Sequence, residues 1–475
     1  MFRIDCLAQP RPWPPQGPRR RFHALIRARR ARISMAAMGI VLSSVLPGSG
    51  SAQPSVAPDS SGLDALIAVA MAANPGVRAA RSRAQAARAR VGPAGLRPDP
   101  MLMIGLRDFP LSNPGFYDNF TMKMVGIRQT IPYPGKLDVD RRIASREVDA
   151  SEASSRGVTL DVIRDVRRAY YQIAFLDRAL DVVTRNRDVL VDLLKVTEAR
   201  YGVGQAGQQD VLRARVEAGR LGEQAVTLTE QRRAALAELN AALDRPSDTP
   251  LPQATVPTRI ARAAVADSAS GVRFVSATLG ARAADSPLPP LAELQAIAVE
   301  TSPLLIEQGA TIAAQAARVE RAGKEHLPDF DLAFDYGQRS GFRDLVTATV
   351  SIPLRLQRRA RQGQLLVAAR ADLAALESEL AARRNAIRAE VARLAADLER
   401  QRAQLALYKT AIIPQGRAAL TSALASYQVG RVEFLAVLEN QATLFNYETE
   451  YFRVLTDFAT TPAELERVVG KEILP

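Results

Sequence analysis

Apolar side chains recur every three or four residues along two long stretches of the chain, the spacing of an α-helix that packs along one stripe. The first stretch extends from about 136 to 201 and would be roughly 100 Å long as one helix. The second is closer to a heptad repeat, and we expect Pro414 to kink it. On periodicity alone, both stripes fit a soluble helical bundle or a filament as well as they fit a long coiled-coil spacer. The stripe positions are Ile163, Val166, Tyr170, Ile173, Leu176, Leu180 and Val183, then Leu373, Leu376, Leu380, Ile387, Val391, Leu394, Leu398, Leu405, Tyr408 and Ile412.

Four shorter segments alternate apolar and polar residues with a period of two, the pattern of β-strands with one apolar face. They form two pairs, at about 99–131 and about 328–353, of which the second is the clearer. One explanation is a hairpin on a soluble core. The other is a pair of transmembrane strands, since each segment has about the 9 to 11 residues needed to cross a bilayer. In the second pair the apolar, lipid-facing side chains would be Phe330, Leu332, Phe334, Tyr336, Val346, Ala348, Val350 and Ile352.

The chain contains an internal repeat. A Tyr-x-Val-Gly motif, followed by Val-Leu seven residues after the glycine, begins at Tyr201 and again 226 positions later at Tyr427. Each copy follows a long helical stripe and precedes another helical segment, so the motif predicts a turn between two helices. Gly204 and Gly430 would adopt the left-handed conformation that ends a helix and that residues with a Cβ avoid.

The repeat also divides the chain, because each half has the order helix, strand pair, long helix, turn and returning helix. A segment rich in Pro, Ala and Ser joins the two halves. The predicted turns lie at 201–207 and 427–431. The predicted divisions are a signal peptide at 1–52, a first repeat at 53–243, a linker at 244–290, a second repeat at 291–458 and a C-terminal tail at 459–475.

The N-terminal segment resembles a secretory signal peptide, since an Arg-rich stretch precedes about 14 apolar residues, too few to span a bilayer as a helix. Residues 1–52 contain nine Arg and one Asp, so eight of the thirteen net positive charges lie there and +5 remains in the exported chain. The single cysteine, Cys6, lies in the same segment. We therefore expect an exported protein without disulfides and without a lipid anchor on cysteine.

The remaining composition argues against catalysis. His326 is the only histidine beyond the leader, and no nucleophile elbow, phosphate-binding glycine loop or HExxH motif occurs. The carboxylates lie mainly at helical spacing beside Arg, as on solvated helix faces, which also disfavours nucleic-acid binding. We therefore expect that the protein is not an enzyme and that it has no cofactor site and no metal site.

With this order of elements, the chain resembles the TolC-type outer-membrane efflux family. The likeness is strongest around Val203–Glu217 and Ile412–Asn446, while the IPYPGKL segment is similar to channels of heavy-metal resistance-nodulation-division systems. The resemblance implies an α+β, mainly α chain and a homotrimer in which four strands per chain form a twelve-stranded transmembrane β-barrel. A long periplasmic α-helical coiled-coil barrel would continue that barrel.

The resemblance further implies partners and a gate. A periplasmic adaptor, or membrane fusion protein, and an inner-membrane pump would join the tunnel at its tip turns, through Tyr201, Gly204, Tyr427 and Gly430. In the closed state of the family, a Tyr and an Arg near the second turn bond an Asp after the first. The corresponding gate residues here are Asp210, Tyr427, Arg431 and Glu439, although Val432 occupies the usual Arg position and Ala436 replaces one acid.

Two other functions remain open from the sequence. A channel for type I secretion of polypeptides would share these features, and a structural periplasmic coiled-coil protein would share the helices without forming a pore. The cargo is also open, with IPYPGKL favouring metal ions such as copper, silver or zinc over drugs.

Overall fold

The computed structural model describes residues 61–110, 115–116, 120–257, 260 and 289–473. The predicted signal peptide at 1–52 and most of the predicted linker at 244–290 lie outside these residues. Within them the chain is mainly helical with one small sheet, which confirms that part of the fold prediction. The helices are α1 Ser61–Ala73, α2 Pro75–Ala94, α3 Lys136–Gly202, α4 Gln208–Ala242, α5 Leu291–Thr301, α6 Pro303–Lys324, α7 Gln364–Leu407, α8 Ile413–Gln428 and α9 Phe434–Val469. The strands are β1 Met101–Arg107, β2 Met122–Ile131, β3 Phe330–Gln338 and β4 Leu345–Ser351.

Helix starts follow local sequence signals. The Asn74 side chain accepts hydrogen bonds from the backbone N–H groups of Gly76 at 2.8 Å and Val77 at 3.2 Å, and Pro75 is the first residue of α2. A proline suits this position because the N–H that it lacks would have no partner inside the helix. In the second half Ser302 and Pro303 begin α6 in the same way, although Ser302 makes no side-chain cap bond.

The apolar stripes form the core between the long helices. Val166, Ile173 and Leu176 of α3 are almost fully buried in a cluster that includes residues of α1, α4 and α9. In α7, Ile387, Val391 and Leu394 are buried against α5 and the end of α9. The earlier stripe residues Leu373, Leu376 and Leu380 are only half-buried. The stripes are therefore covered unevenly within one chain.

The second long helix does not end at its proline. A π-helical turn, Tyr408–Ile412, connects α7 to α8, and Pro414 is the second residue of α8. A wider turn before a proline accommodates the ring and the missing hydrogen bond, so the chain continues as helix.

The predicted boundary at 458/459 falls inside a helix, because α9 continues to Val469. The helix ends at Gly470, which has a left-handed φ of 83°. A Cβ at Gly470 would lie 2.4 Å from the carbonyl oxygen of Thr301, so this close approach requires glycine. The last helix therefore packs against the start of the second half instead of forming a separate tail.

Candidate functional site

The four strands form one antiparallel sheet in the order β1-β2-β3-β4, so the strand pairs of the two halves join through β2 and β3. Residues directly opposite each other in an antiparallel pair lie on the same face. Leu102, Ile127, Phe334 and Ala348 are opposite one another across the four strands. The apolar faces of both strand pairs therefore merge into one continuous surface.

This apolar face is the exposed face of the sheet. Phe334 is 57% exposed, and Ile104 of β1 and Ile127 of β2 are exposed beside it. The predicted lipid-facing residues lie on this surface, with Ile352 directly after β4 and Phe330 half-buried at the start of β3. A soluble hairpin would bury this face on a core, which is not the arrangement of the described residues.

The opposite face, here called the inner face, carries polar residues and methionines. Asp331 accepts a hydrogen bond from the Thr130 hydroxyl at 2.5 Å. Asp335 is only 5% exposed, and its Oδ1 has no hydrogen-bond partner within the described residues. By strand register this face also carries Met101, Met103, Met122 and Met124.

Both outer strands have a free edge within the part of the chain that the structure describes. β1 pairs only with β2, and β4 pairs only with β3. An open edge presents unpaired backbone N–H and C=O groups, which other strands can pair with. The sheet is thus complete on neither side.

A buried lysine joins the sheet to the longest helix. Lys136, the first residue of α3, is 0% exposed, and its Nζ donates to Asp329 Oδ1 and to the Leu327 carbonyl, each at 2.8 Å. Asp329 also accepts from the backbone N–H of Tyr133 at 2.8 Å. Gly135 precedes the helix with a left-handed φ of 83°. Sequence reasoning missed this ion pair, although the lysine lies within the IPYPGKL segment that drew attention.

The two Tyr-x-Val-Gly turns have the same backbone geometry. Gly204 and Gly430 have φ values of 76° and 75°, the left-handed conformation that the repeat predicts. Each glycine N–H donates to the carbonyl of the motif tyrosine at 3.0 Å, Tyr201 in the first turn and Tyr427 in the second. The N–H of the following residue then donates to the carbonyl before that tyrosine. The turns connect α3 to α4 and α8 to α9.

The side chains of the two turns are not equivalent. Tyr201 is 48% exposed, whereas Tyr427 is 4% exposed. The Tyr427 hydroxyl donates to Thr197 Oγ1 at 3.3 Å, and its ring packs against Phe434 with centroids 5.6 Å apart. Tyr427 therefore fixes the second turn against α3.

Arg200 joins the two turns and was not identified from the sequence. Its Nη1 donates to the Tyr427 carbonyl, its Nη2 donates to the Gln205 carbonyl at 3.3 Å, and its guanidinium lies 4.6 Å from the centre of the Tyr427 ring. The residue at the corresponding position of the second half is Ser426. This difference between the repeats is the one signal that singles out Arg200.

The other predicted gate residues are not joined within one chain. Asp210, the third residue of α4, accepts from the Gly207 N–H at 3.4 Å, as an acid of a capping box does. Within the described residues Asp210 makes no hydrogen bond to Tyr427, and the closed-state bond that the resemblance implies stays a prediction. Arg431 and Glu439 are exposed and form no ion pair with described residues.

Neither a cluster of conventional metal ligands nor a membrane-spanning helix occurs in the described residues. They contain no group of three or more His, Cys, Asp or Glu side chains placed to hold a metal ion. None of the helices in the described ranges combines the length and the apolar character needed to cross a membrane.

Two similar halves, each with a long helix, are joined through one four-stranded sheet. A model of the outer membrane efflux protein family matches residues 66–245 and 295–471, and the chain belongs to that family. This finding confirms the family resemblance seen in the sequence.

Individual relatives agree with the family. The cobalt-zinc-cadmium resistance protein CzcC of Cupriavidus metallidurans is 23% identical over 339 residues, which are 71% of this chain and 74% of CzcC. The outer-membrane channel OprN has a similar structure, with a TM-score of 0.71, 17% identity and coverage of 87% of this chain and 91% of OprN. The outer membrane protein VceC of Vibrio cholerae matches with a TM-score of 0.68, 18% identity and coverage of 87% and 97%. At these identities the structural matches show the fold.

Proposed function

We propose that the protein is one subunit of a homotrimeric outer-membrane channel, the passive exit duct of a tripartite efflux system. An inner-membrane resistance-nodulation-division pump would supply the energy, and a periplasmic adaptor would connect the pump to the channel. The observation that carries this proposal is the continuous apolar face of the sheet, which is exposed to the surroundings on all four strands.

The dimensions of the sheet suit a bilayer. β3 has nine residues, a length of about 30 Å, and a tilt of about 40° reduces its height to roughly 23 Å. The apolar band of an outer-membrane barrel is about 25 Å tall. An exposed apolar face of this size in water would instead promote aggregation.

The free edges explain why one chain is insufficient. Unpaired backbone groups are costly in lipid, so transmembrane strands occur in closed barrels. Four strands cannot close a barrel, whereas three copies supply twelve if β4 of one chain pairs with β1 of the next. The inner face of the sheet would then line the lumen.

The helices supply the periplasmic part of the duct. α3 has 67 residues and a length of about 100 Å, with the sheet at its first residue and the tip turn at its last. Tyr201, Val203 and Val429 are exposed at the two turns, where an adaptor would dock. Asp210 and Glu439, repeated in three chains, would place six carboxylates near the aperture and attract cations. Tyr427 and Arg431 complete the proposed gate.

A pair of neighbouring substitutions tests the membrane orientation. Ala348→Arg places a charge on the apolar face at the middle of β4, where an arginine costs about 2–4 kcal/mol near the bilayer midplane. Thr349→Arg places the same charge on the inner face, so it serves as the matched control. We expect the control to reach the outer-membrane fraction as a trimer and to conduct ions in planar bilayers, while Ala348→Arg assembles poorly.

The results separate the alternatives. Equal assembly of both variants would contradict the lipid-facing assignment. A wild-type protein that is soluble without detergent and forms no pore would be a periplasmic coiled-coil protein instead.

Heavy-metal ions are the proposed cargo. The likeness to CzcC and the IPYPGKL segment support this proposal. A growth panel compares the deletion strain with the complemented strain across metal salts, dyes, detergents and antibiotics. Hypersensitivity confined to metals supports this cargo, whereas sensitivity to organic compounds would indicate a multidrug channel. Loss of a secreted polypeptide without any hypersensitivity would indicate type I secretion.

A further inference from the structure

Methionines are concentrated on the inner face of the sheet. The chain has eight, of which Met71, Met101, Met103, Met122 and Met124 are the only ones beyond residue 53. All of these except Met71 lie on β1 and β2, at alternate positions that point to the inner face. A water-facing surface of a strand ordinarily carries polar residues, so four thioethers in two adjacent strands require an explanation.

The register brings three of them together around glycines. Met103 is opposite Gly126, and Met124 is opposite Gly337 of β3. The space that a Cβ on Gly337 would need is occupied by Met122, whose Sδ lies 2.6 Å from that position. The sulfur of Met122 therefore lies over the residue that faces Met124.

Asp335 completes the group from β3. It is opposite Gly126, and its Oδ1 lies 1.9 Å from the position of a Cβ on that glycine. The carboxylate thus extends across β2 towards Met103, which is opposite the same glycine. Within the described residues Oδ1 is buried without a hydrogen-bond partner. A buried carboxylate oxygen ordinarily has a partner, and Oδ1 has none among the described residues, so this oxygen is available to a cation.

We propose that Met103, Met122, Met124 and Asp335 bind a soft monovalent cation, Cu⁺ or Ag⁺. Thioethers select soft ions such as Cu⁺ over Zn²⁺ or Co²⁺, and the carboxylate offsets the positive charge. Methionine has three rotatable bonds, so its sulfur can adjust to an ion without backbone movement. The inference rests on the proposed function, since it places the ion in the channel lumen and narrows the cargo to soft metals.

The site would hold its ion weakly, as a transit site must. The thioethers carry no charge. Arg128 lies on the same face of the sheet, opposite Ala333, and Ala333 precedes Asp335 by two residues on β3. Within the described ranges Arg128 forms no ion pair with Asp335. Its positive charge opposes tight retention of a cation and favours release along the lumen.

Silver titration of the purified channel tests the site. Ag⁺ is added as nitrate in chloride-free buffer to the channel purified from the outer membrane. The gene carries Cys6→Ser, so that unprocessed protein with its leader contributes no thiol. We expect Met103→Leu/Met122→Leu/Met124→Leu to lower the affinity for Ag⁺ at least tenfold. Met71→Leu, a methionine of α1 outside the sheet, is the matched control and should bind as the parent does. X-ray absorption of the bound Ag⁺ should show sulfur neighbours in the parent and none in the triple variant.

Several results would overturn the site. Equal Ag⁺ affinity of the triple variant and the Met71→Leu control would do so, as would sulfur neighbours that persist after the triple substitution. Asp335→Asn keeps the shape of the side chain and provides a second test if the triple variant assembles poorly, and unchanged affinity there would remove the carboxylate from the site. Zn²⁺ binding that falls in parallel with Ag⁺ binding would contradict the selectivity for soft ions.

Channel recordings on the same samples separate the two proposals. A conducting trimer whose Ag⁺ affinity is insensitive to the three methionines would refute the metal site and leave the channel intact. A protein that forms no pore but loses Ag⁺ binding in the triple variant would refute the proposed function and support the site.

Discussion

In the proposed channel, Arg200 holds the two turns of each chain together, so we expect Arg200→Gln to destabilise the closed tip. Arg200 donates to the Tyr427 carbonyl and lies over the Tyr427 ring. A hydrogen bond from a charged donor contributes about 1.5–3 kcal/mol, and an exposed cation–π contact contributes about 0.5–1 kcal/mol. Because Arg200 is only half-buried, we take about 2 kcal/mol, which corresponds to a roughly 30-fold change in the closed-to-open ratio.

Single-channel recordings in planar bilayers measure this ratio. We expect Arg200→Gln to spend far more time in high-conductance states than the wild type. Arg200→Lys should be intermediate, because an ammonium retains one charged hydrogen bond but loses the planar stacking. Arg213→Gln, an exposed arginine of α4 near the same turn, is the control and should not differ from the wild type. If Arg200→Gln also matches the wild type, the link between the turns does not hold the tip closed.

Three further predictions concern the gate and the junction. Asp210→Ala should raise single-channel conductance, and unchanged opening statistics would remove Asp210 from the gate. Asp329→Asn should lower the thermal midpoint more than Lys136→Met does. The first variant leaves the charge of Lys136 unpaired at 0% exposure, which costs about 3–5 kcal/mol, whereas the second leaves Asp329, which is 34% exposed. Equal losses in circular-dichroism melts would contradict this. Burial raises the pKa of Glu325, but the hydrogen bond and charge of Arg321, with the charge of Lys136, outweigh it and hold the pKa below its ordinary value. Its stabilisation is therefore complete above about pH 4.3 and lost at lower pH, so melts between pH 6 and 3 should show a smaller acid loss in Glu325→Gln than in the wild type.

Much of the fold follows from local pattern. The period of two predicts the strands and their apolar face, because the alternation of side chains is a property of extended backbone. The repeated glycines predict the turns, since Gly204 and Gly430 both adopt a conformation that other residues avoid. These features depend on residues that are near in sequence.

The rest depends on residues far apart in sequence. Lys136 meets Asp329 across 193 positions, and Arg200 meets the Tyr427 carbonyl across 227. Neither contact produces a recognisable sequence pattern, because the chain has many arginines and carboxylates at helical spacing that could have formed such pairs. The register of β2 against β3, which assembles the methionines with Asp335, is a long-range property of the same kind.

The unequal turns limit the symmetry that a duplicated chain can offer. In a ring of three chains the tips would number six and have nearly identical backbones, yet an exposed Tyr201 would alternate with a buried Tyr427 around the ring. A partner built from six identical copies would meet two kinds of surface at successive steps of 60°. The tyrosine of the second turn is thus committed to packing within its own chain, whereas the tyrosine of the first turn is exposed.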